Sequence, residues 1–365
     1  MLAKTINYYL TITMKKFYLM LFAAALLASC SSGGDDSQKT ADSSFDITAI
    51  TVKNAEGNTP VKGDEVTVSF TIKNTGDVAG KASIAAKLSS SRFSDYKNVN
   101  LPTVDKQLAA GETAVVTMEM GPFFQDSYNG KHYALGRGEY FFESVMINEA
   151  TDTEYSGRVF QVQTSNALLV PVIYEPQYLA KIETNLGIKD YLKNAFTRQV
   201  ELYDNNGNYQ DYAGGFDDMM NVEHHFYPIL TTNVSDYPLD DGLCEKAIAL
   251  GGDVLGLKDD WVGPTGTQAE NHGFDYLMAL TADGFGGVAC GWINVQISGV
   301  FDYDKSQDRA QIVLIHETSH LFGSPHCDPK QGYVMCSGEK HSKYIDKGIY
   351  VYNVDSKNQM SMRWD

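Results

Sequence analysis

The stretch His316-Glu317-Thr318-Ser319-His320-Leu321-Phe322-Gly323-Ser324-Pro325-His326 decides how the C-terminal half of this 365-residue chain is read. Its three imidazoles, one carboxylate and one glycine stand at a spacing that can bring three nitrogens onto one divalent cation. On a helix, His316 and His320 lie one above the other on the same face, so both rings reach one ion at about 2.0–2.1 Å. Glu317 is offset by one position and points beside the ion, where it is better placed as a base than as a ligand. Gly323 falls where the helix must stop, because a residue without Cβ takes the left-handed conformation that reverses the chain. Pro325 biases Ser324 away from helix and stiffens the approach to His326. Three neutral imidazoles then leave the fourth position of a tetrahedral ion open for water, as a catalytic site requires.

The stretch resembles the extended HExxHxxGxxH motif of the metzincin clan of zinc metalloproteases. Their motif is followed by a turn carrying a methionine, here Tyr333-Val334-Met335-Cys336. By this resemblance His316, His320 and His326 ligate Zn2+, Glu317 is the general base and Met335 floors the site. The resemblance implies hydrolysis of peptide bonds by a metal-activated water, in an α/β domain with a mixed sheet. It also implies an antiparallel edge strand before the helix that pairs with substrate backbone. The candidate strand is Gly286–Trp292, with Gly287, Val288 and Ala289 against the substrate. Tyr333, at the end of the loop from Cys327, would wall the pocket beyond the cleaved bond.

Outward from this motif, residues 166–365 mix strand and helix patterns. Leu168–Tyr174 is a continuous apolar run, as in a buried strand. Tyr191–Leu202 has apolar residues at helical spacing, and Glu245–Leu250 reads as a further helix. Phe274–Leu280 and Val295–Phe301 read as strands. The helix bearing the motif spans Ser306–Phe322, with Ser306 or Asp304 as its N-cap. Residues 45–165 read instead as all-β. Val66–Ile72, Ala82–Leu88, Ala114–Met120, Tyr140–Ile147 and Arg158–Gln163 alternate apolar and polar residues between turn clusters. That rhythm predicts a β-sandwich. Gly63–Gly76, together with Leu108–Thr113, resembles the immunoglobulin-like adhesion-related domains of bacterial surface proteins. The expected architecture is therefore two-domain: an immunoglobulin-like sandwich followed by a metzincin-like α/β domain.

Residues 1–29 read as a secretory signal. Lys15 and Lys16 precede a short apolar run ending at Leu27, and the most natural start is Met14. Leu27-Ala28-Ser29-Cys30 resembles the bacterial lipobox, which makes Cys30 the lipidated residue and 30–44 a polar tether. Asp35-Asp36 resembles the surface-export signal of bacterial lipoproteins, so the outer membrane or cell surface is the expected location. The net charge is -17, and removing residues 1–29, with three lysines and no acid, leaves -20. Such a chain repels nucleic acid and anionic lipid, so membrane contact is expected only through the acyl chain. A monomer acting on protein or peptide is the expected state.

With Cys30 assigned to lipid, four cysteines remain: Cys244, Cys290, Cys327 and Cys336. Three pairings are open. The local choice is Cys327–Cys336, which leaves Cys244–Cys290. Among the other histidines, His224 and His225 read as surface residues, His272 and His341 as solvated, and His132 as incidental. Asp204–Asp211 looks like a calcium loop but lacks the glycine that an EF-hand needs at its sixth position, so a hydrated turn is preferred. The competing functional reading is an inactive surface lipoprotein that binds a glycan or host protein through its β-domain.

Overall fold

Alternating strands build the N-terminal part. They run β1 (Phe45–Asn54), β2 (Val66–Asn74), β3 (Gly80–Ser90), β4 (Val99–Asn100), β5 (Val104–Leu108), β6 (Thr113–Met120), β7 (Phe123–Gln125), β8 (His132–Ala134), β9 (Gly138–Ile147), β10 (Ala150–Asp152) and β11 (Val159–Val162). One antiparallel sheet has the order β1-β2-β6, and a second the order β10-β9-β3-β4, with β11 on β9 and β5 on β3. Because successive side chains point to opposite faces, Val66, Val68, Phe70 and Ile72 of β2 are buried together with Ala82, Ile84, Ala86 and Leu88 of β3. Phe70 meets Phe142 edge-on at 6.3 Å between ring centroids, joining the two sheets across one core.

The computed structural model describes residues 42–90, 93, 98–182, 184–231, 242–255, 272–282, 284, 286–291, 294–300, 304–328, 331–336 and 348–361. The expected signal, Met14, Cys30, nearly all of the tether, Trp292, Phe301 and His341 therefore lie outside the described residues. No helix among the described residues is long and apolar enough to cross a membrane.

The second part contains β12 (Ala167–Tyr174), β13 (Val200–Tyr203), β14 (Tyr209–Ala213), β15 (Glu223–Leu230), β16 (Leu277–Leu280), β17 (Gly287–Cys290), β18 (Val295–Ser298) and β19 (Tyr350–Asn353). Its helices are α1 (Pro176–Lys181), α2 (Ile188–Thr197), α3 (Phe216–Met220), α4 (Leu243–Leu250), α5 (Gln307–Leu321) and α6 (Val354–Gln359). The main sheet has the order β15-β12-β16-β18-β17. Its pairings are parallel except the last, where edge strand β17 runs antiparallel to β18. A smaller sheet, β14-β13-β19, lies off this path. The run Leu168–Ile173 is buried on both faces, as a central parallel strand should be.

Several expected elements are shorter than their sequence pattern, the strand expected over Val295–Phe301 running only Val295–Ser298. The helical pattern of Tyr191–Leu202 breaks after Thr197; Arg198 is extended, and Val200–Tyr203 joins β14 and β19 as a strand. Arg198 is held there by an ion pair to Asp308 and by the ring of Tyr350 beneath its guanidinium. The strand expected over Phe274–Leu280 is confined to Leu277–Leu280.

Asp42–Asp365 form one compact unit, so the sandwich and the α/β part share a packed junction. Lys62 donates to Asp275 at 2.7 Å with both side chains buried, and the other oxygen of Asp275 accepts from the backbone N of Leu169 at 2.7 Å. Phe123 stacks on Tyr227 at 4.9 Å. The backbone N of Ala134 donates to the carbonyl of His272 at 2.8 Å. At this seam Gly136 must lack a side chain, because a Cβ there would stand 2.9 Å from the carbonyl oxygen of Gly273.

Two expectations about histidines, those for His272 and His224, are corrected by the structure. His272 is 1% exposed and stacks on Tyr133 at 4.3 Å, instead of being solvated. The side chain of His224 is buried, with its Nδ1 on Asp217 and its ring beside Phe196 and Phe226. His132 belongs to the junction, with Nδ1 3.1 Å from the hydroxyl of Tyr227.

Burying one partner of an ion pair without the other costs about 3–5 kcal/mol. Lys62→Met is therefore expected to lower the unfolding free energy by about that much in denaturant titration, whereas a loss under about 1 kcal/mol would mean the pair does not hold the seam. Burial also keeps the His132 imidazole below its usual range. With the folded pKa depressed, the unfolded chain takes up the proton first, so stability is lost as pH falls through about 6.5 and below. His132→Phe should flatten that part of the stability–pH curve.

Candidate metal centre

Helix α5 is fixed before its histidines are placed. The Ser306 side chain accepts from the backbone N of Arg309 at 3.3 Å and caps the helix, as one of the two expected residues. Ile312, Leu314, Ile315 and Leu321 bury its core face. Thr318 donates to the side-chain oxygen of Gln296 on β18 at 2.9 Å, and the hydroxyls of Ser319 and Tyr352 on β19 lie 2.7 Å apart. The helix ends at Phe322, and Gly323 takes φ +96°, the left-handed conformation that turns the chain toward His326.

This scaffold brings the three ring nitrogens together. His316 Nε2 lies 3.1 Å from Nε2 of both His326 and His320, and the latter pair stands 3.0 Å apart. Three ligands about 2.0–2.1 Å from one tetrahedral ion would be about 3.3 Å apart, so the spacing fits a shared cation. Tautomers support the fit. His316 Nδ1 is 2.6 Å from the carbonyl oxygen of Val334, and His320 Nδ1 is 2.7 Å from that of Ser324. A carbonyl can only accept, so each Nδ1 carries the hydrogen and each neutral ring presents an Nε2 lone pair inward. Lone pairs at 3 Å repel one another, and a cation removes the repulsion. Burial also holds His320 below the usual imidazole range, with His326 adding to the effect and the bond to Ser324 opposing it. The group could hold a metal ion, with His316 buried, His320 half-buried and His326 exposed.

Glu317 follows the first ligand and is 6% exposed. Burial pushes its carboxyl up to about 8. Met335 is fully buried in the core that also takes in the apolar face of α5, and its neighbour Val334 supplies the carbonyl that orients His316. Both expected cysteine pairs are disulfides, Cys244–Cys290 and Cys327–Cys336. The second joins the residue after His326 to the residue after Met335, and the backbone N of Cys327 donates to the carbonyl of Met335 at 2.9 Å.

Of the residues expected against substrate, Gly287, Val288 and Ala289 lie together on the edge strand β17, half-buried, with one neighbouring strand among the described residues. Tyr333 is placed differently. It is 2% exposed, its hydroxyl donates to the carbonyl of Asp204 at 3.3 Å, and its ring lies near Tyr203, so it braces the loop instead of facing a peptide. The Asp204 turn closes on itself: its carboxylate accepts from the backbone N of Asn206 and of Asn208 and from the Asn208 side chain. The carbonyls of Val334 and Ser324 escaped the sequence reading because a backbone acceptor leaves no trace in residue identity.

No protein-family model matches the chain, and no curated protein matches it. Partial likeness to solved structures includes a β-D-glucoside glucohydrolase from Trichoderma reesei, at 13% identity over 34% of this chain and 19% of that one, TM-score 0.24. A β-glucosidase from Streptomyces venezuelae is 22% identical over 33% of this chain and 15% of its own, TM-score 0.24. A β-glucosidase from Listeria innocua is 22% identical over 34% and 16%, TM-score 0.24. The chain thus spans no more than 19% of the length of these proteins. At such scores the likeness carries no argument about fold or activity.

The Cys327–Cys336 bridge ties the exposed ligand to the loop that orients the buried one. The double substitution Cys327→Ser, Cys336→Ser is expected to weaken divalent-metal affinity about tenfold, the low end for loss of a supporting partner. Competition with a chromophoric chelator measures it. Unchanged affinity would show that the backbone bonds alone hold His326.

Proposed function

We propose that this chain is a metzincin-like zinc endopeptidase, exported as a lipid-anchored protein through Cys30 and acting on extracellular proteins or peptides. The observation that carries the reading is the convergence of three Nε2 atoms within 3.1 Å, beside a buried carboxylate that lies against the edge strand β17. A set of three neutral imidazoles suits zinc and leaves a coordination position over.

When bound by His316, His320 and His326, zinc supplies Lewis acidity toward a water molecule and toward the scissile carbonyl. The protein supplies the rest. The Nδ1 bonds to Val334 and Ser324 keep the first two rings in the tautomer and orientation that ligation needs. Glu317, desolvated and therefore more basic than an exposed carboxylate, accepts the proton of the attacking water at its carboxylate oxygen. It then delivers that proton to the leaving amine nitrogen. No acyl-enzyme is required, because the nucleophile is water. Strand β17 offers an edge unpaired among the described residues to an extended peptide, whose backbone would continue the antiparallel pairing begun by β18.

The sandwich is read as an immunoglobulin-like module of the kind found in bacterial surface proteins. Its packed seam with the α/β part makes it a fixed support for the enzyme instead of a loose spacer.

Glu317→Gln keeps the size and shape of the side chain but removes the base. Peptide hydrolysis, followed by mass mapping of a digested protein mixture, is expected to fall by about 10²–10⁴-fold. Zinc content should stay at one ion per chain. Wild-type cleavage should be abolished by a chelator and restored by zinc. Full activity in the variant would remove Glu317 from the mechanism, and a wild-type protein that binds zinc but cleaves nothing would remove the peptidase reading.

A further inference from the structure

Gly287 stands in regular antiparallel register with Ser298. It is not among the residues with positive φ, although its neighbour Gly286 is, at φ +89°. The backbone at 287 is therefore one that any residue can adopt, and conformational freedom does not account for the glycine. Space does. A Cβ built at Gly287 would stand 2.6 Å from Cγ, 2.9 Å from Cδ and 2.8 Å from Oε1 of Glu317. All three approaches are closer than real carbon contacts allow. The atoms approached are the carboxyl arm itself, so any side chain at 287 has to move it.

No hydrogen bond from a described residue is made to the Glu317 carboxylate, and burial alone accounts for its raised proton affinity. Its orientation is set by packing, and the bare backbone of β17 at Gly287 is one wall against which it lies. We infer that Gly287 is a positioning residue for Glu317: the missing side chain in the edge strand is the slot that holds the carboxylate at its working place. The same slot lets the strand that would receive a peptide lie directly against the base, so strand and base are brought within one contact distance of each other. This inference rests on the peptidase reading for its kinetic consequence, but its structural content does not.

The test is a pair of substitutions in two backgrounds. A misplacement near 1 Å costs about 10²-fold in rate. Gly287→Ala is therefore expected to lower kcat about 10²-fold, with KM changed less than about threefold and zinc content and Tm near wild type. In a Glu317→Asp background the arm is one methylene shorter and the added methyl finds room. There Gly287→Ala should cost less than about threefold of the residual rate, because the clash it introduces is already relieved. Equal cost in both backgrounds would mean that alanine merely disturbs the strand, and would overturn the inference. Crystal structures of zinc-loaded wild type and Gly287→Ala give a readout independent of turnover. The Glu317 carboxylate should be displaced while His316, His320 and His326 stay in place. An unmoved carboxylate sinks the proposal. A displaced carboxylate in a protein that cleaves no peptide sustains the positioning role and rejects only the peptidase reading.

Discussion

Two hydrogen bonds between ring and backbone govern the C-terminal part of this protein. When His316 and His320 donate from Nδ1 to the carbonyls of Val334 and Ser324, each ring loses its freedom of tautomer and of rotation. Both Nε2 lone pairs are then committed to the point that His326 also faces. Each acceptor depends on structure further out. The Val334 carbonyl is held by a loop closed by a disulfide and by the Cys327-to-Met335 backbone bond. The Ser324 carbonyl depends on the left-handed turn at Gly323. Helix, glycine, bridge and buried methionine thus act through the direction of two imidazoles.

Helix α5 sits where it does because polar side chains on its buried faces find partners across the sheets. Thr318 reaches Gln296 on β18, and Ser319 reaches Tyr352 on β19. Leaving such groups unpaired in the core would cost about 1–3 kcal/mol each, so the helix can settle in one register only. That register is what aligns Glu317 with Gly287.

The parts legible in the residues were those written in local pattern. The ligand spacing, the helix with its Ser306 cap and glycine stop, the buried run at Leu168–Ile173 and the alternating strands β2, β3, β6 and β9 all follow from neighbours in the chain. The edge strand β17 was expected from the family resemblance and not from local pattern, and its slot for Glu317 was not foreseen. Other features depend on distant partners. Val200–Tyr203 continues a helical pattern but becomes a strand because Tyr350–Asn353 and Tyr209–Ala213 pair with it. His272 and His224 carry a polar label, yet one is buried by a stacked tyrosine and the other by an aspartate and a cage of phenylalanines. Tyr333 reads as a pocket wall until Asp204 captures its hydroxyl.

The near-contact of Gly136 with Gly273 carries a consequence of a different sort. At Gly273, where φ is +86°, a Cβ would come 2.1 Å from the carbonyl oxygen of Ala134, so neither surface tolerates a methyl group. Two bare stretches of main chain, one from each half, are cut to each other's profile. The sandwich is therefore no interchangeable cassette. A graft of another β-module onto the same α/β partner would need the same hollow at the same place.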